Sequence, residues 1–91
     1  MYKYRINELL EKLTMKEYQQ VIRIIPRILE VSGNTFYNYR NIKLGESRDI
    51  PHLKVLQLER LFNLKIGELL TEKPEFPTLE ELLRERQKLS R

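Results

Sequence analysis

The stretch from Ile25 to Ile42 constrains this chain most, because an apolar turn there leads into a segment of poor helix formers. Asn, Thr, Tyr and Phe all rank well below Ala in helix propensity. A helix made of them must be held by tertiary contacts, and its outward face is free for another use. The flanking residues say how such a helix begins. Ser32 is a natural N-cap, and Phe36 and Tyr39, with the stem of Lys43, fall on one face of a helix running from Gly33 to about Ile42.

The rest of the pattern is helical too. Ile6, Leu9, Leu10 and Leu13 stand at i, i+3, i+4, i+7, which predicts a first helix over Arg5–Leu13. Tyr2, Tyr4 and Ile6 alternate as in a short strand, although three residues at a terminus more commonly form a fraying arm; neither is assigned. Thr14-Met-Lys-Glu17 has capping-box spacing and opens a second helix, whose stripe runs through Tyr18, Val21, Ile22, Ile25, Ile28 and Leu29. Pro26 removes the bond to residue 22, so this helix is expected to kink or to split at Ile25-Pro26.

Lys43–Ile50 has no periodicity and reads as an exposed loop, after which Pro51 opens a fourth helix with a stripe of Val55, Leu58, Leu61 and Phe62. Asn63 tolerates a left-handed stop. Leu64–Leu70 is expected to add one or two further turns. Pro74-Glu-Phe-Pro77 is a stiff spacer, and Thr78-Leu-Glu-Glu81 is a second capping box before Leu79, Leu82, Leu83 and Leu89. The expected architecture is all-α, a compact bundle of about five helices over 1–73. Residues 74–91 add the spacer and an amphipathic C-terminal helix. An isolated helix of that length is marginal in water. Its leucines should therefore fold back across the domain, pair with a second copy as a homodimer, or leave a fraying tail.

Composition narrows the function. Ninety-one residues make one small domain with no cysteine, so disulfides and thiolate metal sites are excluded. No apolar run is long enough for a membrane span, and the residues after Met1 lack a signal-peptide centre; a soluble, unprocessed, cytoplasmic protein is expected. The net charge of +4 lies entirely before Pro74 and favours a polyanion without deciding for one. His52, the single histidine, has no partner for a metal site. The Ser, Asp and His residues have no triad spacing and no phosphate-cradling glycine loop is present, so neither a cofactor nor an enzyme activity is expected.

Leu29-x-Val31-Ser32-x-Asn34-Thr35-Phe36, the following loop, and Pro51 through Phe62-Asn63-Leu64 and Glu68-Leu69-Leu70 resemble the Cro and lambda-repressor-like helix-turn-helix family over about fifty residues. Leu29, Val31, Phe36 and Tyr39 fill the family's anchoring places. Pro26 stands where a small residue is usual, and Glu30 where Gly is usual. A left-handed Glu costs about 1–2 kcal/mol, so the turn could pivot on Glu30 or on Gly33, with Asn34 or Thr35 then the cap. Glu59 replaces a commonly buried Ala, implying a solvent edge or a buried pair with an arginine. No phosphate contact is carried over to Thr14–Gln20.

The resemblance implies a bacterial or phage-type transcriptional regulator that reads double-stranded DNA in the major groove. With the helix beginning at Gly33, residues Asn34, Tyr37, Asn38 and Asn41 form one outward stripe opposite Phe36 and Tyr39. The Asn amide pairs with N6 and N7 of adenine, and a Tyr ring packs on a thymine methyl, pointing to an A·T-containing half-site. Gly33 permits close approach to the groove floor. Ser32, Thr35, Arg40, Lys43, Arg48 and His52 are the candidate phosphate contacts. The competing reading is a helical protein-interaction module such as an antitoxin or an assembly adaptor.

Overall fold

The computed structural model describes residues 1–89, with side chains through Arg86. It is all-α: α1 (Ile6–Glu11), α2 (Met15–Leu29), α3 (Gly33–Arg40), α4 (His52–Leu61) and α5 (Leu79–Leu89). No helix among the described residues is long and apolar enough to cross a membrane. The core gathers Ile6 and Leu10 of α1, Ile25 and Leu29 of α2, Phe36 of α3 and Leu58 of α4. Ile42, Ile50, Leu69 and Tyr4 close it from the connecting segments.

Local chemistry sets the helix boundaries. At the start of α2, Thr14 Oγ1 accepts from the N–H of Glu17 at 3.2 Å, and the Glu17 carboxylate accepts from the N–H of Thr14 at 3.0 Å. Two of the N–H groups left free at the helix start are satisfied reciprocally. Of the kink or split expected at Ile25-Pro26, the split does not occur: α2 runs through Pro26 as one helix. Pro26 lies in the last turn and is buried. The bond it deletes falls near an end the structure closes in another way, and Pro26 packs in the core beside Ile25 and Leu29. Glu30 adopts φ 57°, its N–H donates to Arg27 O at 3.2 Å, and the N–H of Val31 reaches back to Pro26 O at 2.9 Å. The same device ends α4, where Asn63 has φ 56° and the N–H of Leu64 donates to Glu59 O at 2.7 Å.

The N-terminal residues, unassigned from sequence and commonly a fraying arm in such a position, are pinned on both sides. The N–H of Lys3 donates to Ile42 O and that of Arg5 to Leu69 O, both at 2.8 Å, while Thr71 N–H returns a bond to Lys3 O at 2.9 Å. Tyr2 bridges Lys43, and Tyr4 bridges Leu70. The alternation of Tyr2, Tyr4 and Ile6 does not mark one face of a strand, because Ile6 already belongs to α1 and only Tyr2 and Tyr4 make isolated bridges. Tyr4 and Ile6 point into the core at 5% and 0% exposure, while Tyr2 faces out.

Four further expectations are corrected. α1 ends at Glu11 rather than Leu13. Lys43 is exposed and lies beyond α3, which stops at Arg40 because its C-terminal flank is drawn into the bridge with Tyr2. Leu61 is 41% exposed, leaving Leu58 as the buried centre of the α4 stripe. Leu64–Leu70 forms turns, as expected, and Glu59, the fourth correction, holds them. Its side chain is 3% exposed and Oε2 accepts the N–H of Gly67 at 2.7 Å and of Leu69 at 3.0 Å. The residue occupies neither a solvent edge nor an arginine pair. It takes the backbone donors that a helix would have used internally.

α5 begins at its expected capping box, with Thr78 Oγ1 accepting from Glu81 N–H at 3.1 Å. It is not folded back on the domain: Leu79, Leu82 and Leu83 are 72%, 47% and 51% exposed, and the chain measures 63 × 24 × 23 Å. The side chain of Leu89 lies outside the described residues.

Candidate nucleic-acid interface

α2 and α3 pack together across the three-residue turn Glu30-Val31-Ser32. Ser32 Oγ accepts the N–H of Thr35 at 3.0 Å and donates to Thr35 Oγ1 at 2.9 Å, so the cap expected from sequence is formed and both hydroxyls are engaged locally. Gly33 has no left-handed φ. The turn pivots on Glu30, and the alternative start at Asn34 or Thr35 does not occur. Tertiary packing overrides the local preference: Leu29 and Phe36 on either side of the turn are 1% and 2% exposed, and Val31 is half-buried between them in sequence.

Seated in this way, α3 turns Gly33, Asn34, Tyr37 and Asn38 to solvent, with Tyr37 at 60% exposure. Nothing lies within 4 Å of the space a Cβ would take at Gly33. Asn41 departs from the stripe. It is the residue that ends α3, it is half-buried, and its Nδ2 donates to Tyr37 O at 2.8 Å. An amide spent on the helix terminus leaves less for an outside partner.

The cations divide into free and engaged. Lys43 is exposed. Arg48 is exposed but its guanidinium meets Glu46 Oε2, with Nε at 2.7 Å and Nη2 at 2.5 Å. Those bonds, with the N–H of Lys43, hold the Glu46 carboxyl below its usual range. Arg40 is half-buried: its Nε donates to Asn7 Oδ1 at 2.8 Å, and the guanidinium sits 5.7 Å from the centre of the Tyr18 ring. Asn7 Nδ2 in turn donates to Arg40 O at 3.1 Å. Arg40 thus fastens the end of α3 to α1 and α2, a structural use the spacing in sequence did not signal.

His52 is exposed at the start of α4, but Asp49 shares the same shallow hollow. Asp49 accepts the Tyr4 hydroxyl and the N–H of Ile50, and its Oδ2 lies 3.0 Å from Lys3 Nζ. Partial burial raises the Asp49 carboxyl, but these donors outweigh it and hold it below its normal value. A carboxylate at that point opposes an incoming phosphate.

Sequence reasoning passed over the outer face of α2, where Lys16, Gln19, Gln20, Arg23 and Arg27 line a second hollow. Their spacing over three helical turns was a readable signal. No protein-family model matches the chain, and no characterised protein or solved structure does.

Proposed function

We propose that the protein binds double-stranded DNA with sequence preference, laying the exposed face of α3 in the major groove, as the resemblance of Leu29–Tyr39 to Cro and lambda-repressor-like regulators implies. One observation carries this reading. A helix of weak intrinsic propensity is fixed by Ser32, Phe36 and Tyr39, while Asn34, Tyr37 and Asn38 remain exposed and their side chains have no hydrogen-bond partner among the described residues. Two-sided amides on a rigid face match adenine edges.

Base reading is assigned to Asn34, Tyr37 and Asn38, with Gly33 allowing close approach. Lys43 is the best-placed backbone contact. Arg40, Arg48, Asn41 and His52 carry less of the proposal, because the first three are already bonded within the fold and the last neighbours Asp49. A single helix of this length reads few base pairs. Two copies, joined through the leucines of α5, would address half-sites about one turn, ~34 Å, apart. Regulation would come through occupancy of the site.

Selection of preferred duplexes from a random pool tests the reading. The expected result is an enriched A·T-containing motif, with two half-sites at fixed spacing. Recovery of unenriched sequence, or no retention at low salt, overturns it. The exposed leucines of α5 favour a second reading, a protein-interaction module, which the salt response separates. DNA affinity should fall with a log–log slope near −0.9 per phosphate contact, whereas an apolar interface changes little.

A further inference from the structure

Among the described residues, two apolar surfaces have no cover from the rest of the chain. One is the leucine face of α5, where Leu79, Leu82 and Leu83 are exposed. The other is a groove of about 200 Å3 between α2 and the end of α4, lined by Leu13, Val21, Ile24, Ile28, Leu61 and Phe62. Ile24, Ile28 and Leu61 are 50%, 43% and 41% exposed there. Both are ridged alike: the leucines stand at i, i+3, i+4, and Val21, Ile24 and Ile28 at i, i+3, i+7, the spacings by which two helices interdigitate.

Charge complements shape. The groove borders the cationic hollow of α2 through a shared residue, Ile24, and Lys16, Arg23 and Arg27 line that hollow with no acid among its lining residues. Between Lys73 and Arg84 the spacer and first turn of α5 carry only acids, Glu75, Glu80 and Glu81. A helix laid leucine-down in the groove brings its acidic beginning within reach of that basic stripe.

The spacer selects which copy supplies the helix. The chain is tied down as far as Thr71, whose N–H and hydroxyl donate to Lys3 O and Tyr2 O at 2.9 and 2.6 Å. From Glu72 to Thr78 every residue is exposed, and Pro74 and Pro77 restrict themselves and the residues before them to extended backbone. Such a segment spans roughly 3.1 Å per residue and acts as a strut, holding α5 away from its own body.

We propose that α5 of each copy docks in the Ile24–Ile28–Leu61 groove of a second copy, making a homodimer by reciprocal exchange of tails. This deepens the pairing invoked for DNA binding but does not need DNA to form. Each copy both gives and receives one helix, so the contact closes on two copies and leaves neither apolar surface open.

The chain has no cysteine, which allows a direct test on the full-length protein. Ile28→Cys and Leu83→Cys, both at exposed positions, are made singly and mixed under mild oxidation, with circular dichroism to confirm the fold. The expected product is a covalent dimer containing one of each variant. Sedimentation of the unmodified chain at micromolar concentration should show dimers without DNA, and Leu83→Ser or Ile24→Ser should each weaken them about tenfold or more. Rapid self-crosslinking of Leu83→Cys, with Ile28→Cys inert, would mean α5 pairs with α5 and overturns the proposal. An internal disulfide in a monomer carrying both substitutions would mean the tail folds back, and overturns it too. Monomers throughout do the same. Duplex selection reads DNA binding separately, so failure of one reading is not mistaken for failure of the other.

Discussion

Arg40 and Asn7 are locked to each other in both directions, Nε to Oδ1 at 2.8 Å and Nδ2 to the Arg40 carbonyl at 3.1 Å. The end of α3 is thereby fixed to α1 by a pair thirty-three positions apart in sequence. Asn7→Ala should cost about 1–3 kcal/mol, because a partly buried guanidinium and a helix-end carbonyl both lose a partner. Urea unfolding reads this directly. An unchanged midpoint would show that water replaces the amide at no cost.

Glu59 should be less replaceable than any other acid of the chain. Its Oε2 satisfies two backbone N–H groups in the turns after α4. Glu59→Ala leaves both without a partner, at a cost of roughly 2–4 kcal/mol, and Glu59→Gln, which keeps an acceptor oxygen, should lose less. Thermal unfolding of the two variants should rank them in that order.

Glu30 holds a left-handed conformation at φ 57° without the freedom of glycine. Glu30→Gly should raise stability by up to about 1 kcal/mol, and Glu30→Val should lower it, since a β-branched residue resists that region most. If both variants unfold at the parent temperature, the turn is not strained.

The Tyr4–Asp49 contact makes stability depend on pH from both ends. Burial, then the bond to Asp49, raises the Tyr4 hydroxyl above its ordinary value of 10.0. The folded state therefore favours the neutral phenol. Its contribution is complete below pH 10 and is lost as pH rises beyond that value. Asp49 is lowered from 3.8, so its contribution is present above that value and is lost as pH falls below it. Tyr4→Phe should flatten the alkaline loss and, by removing one of the donors to Asp49, also reduce the acid loss. Denaturation midpoints measured across the pH range test both signs.

For the proposed interface, Asn34→Ala with Asn38→Ala should relax sequence preference by ~1–3 kcal/mol for each lost two-bond contact to a base and leave the fold intact, since both side chains are exposed. Lys43→Ala should weaken all duplexes alike and lower the salt slope by about one. Equal affinity of the double variant for every duplex, preferred or not, with affinity itself unchanged, would remove α3 as the reading element.

What the residues determine on their own is local. Thr14 and Glu17, Thr78 and Glu81, Ser32, Asn63 and the apolar stripes announce where helices start, stop and turn their faces, because these effects act within one or two turns of backbone. The exposed amide face of α3 was legible for the same reason: Phe36 and Tyr39 define its opposite side. Long-range closure decided the rest. Tyr4 became core because two distant segments supply hydrogen bonds on either side of it, and Glu59 was buried because remote N–H groups needed an acceptor. Pro26 stayed within a helix because packing holds its last turn, and Arg40 was drawn inward by Asn7 and Tyr18. Each of these outcomes depends on partners many positions away, whose approach is set by burial of the whole core rather than by any spacing along the chain.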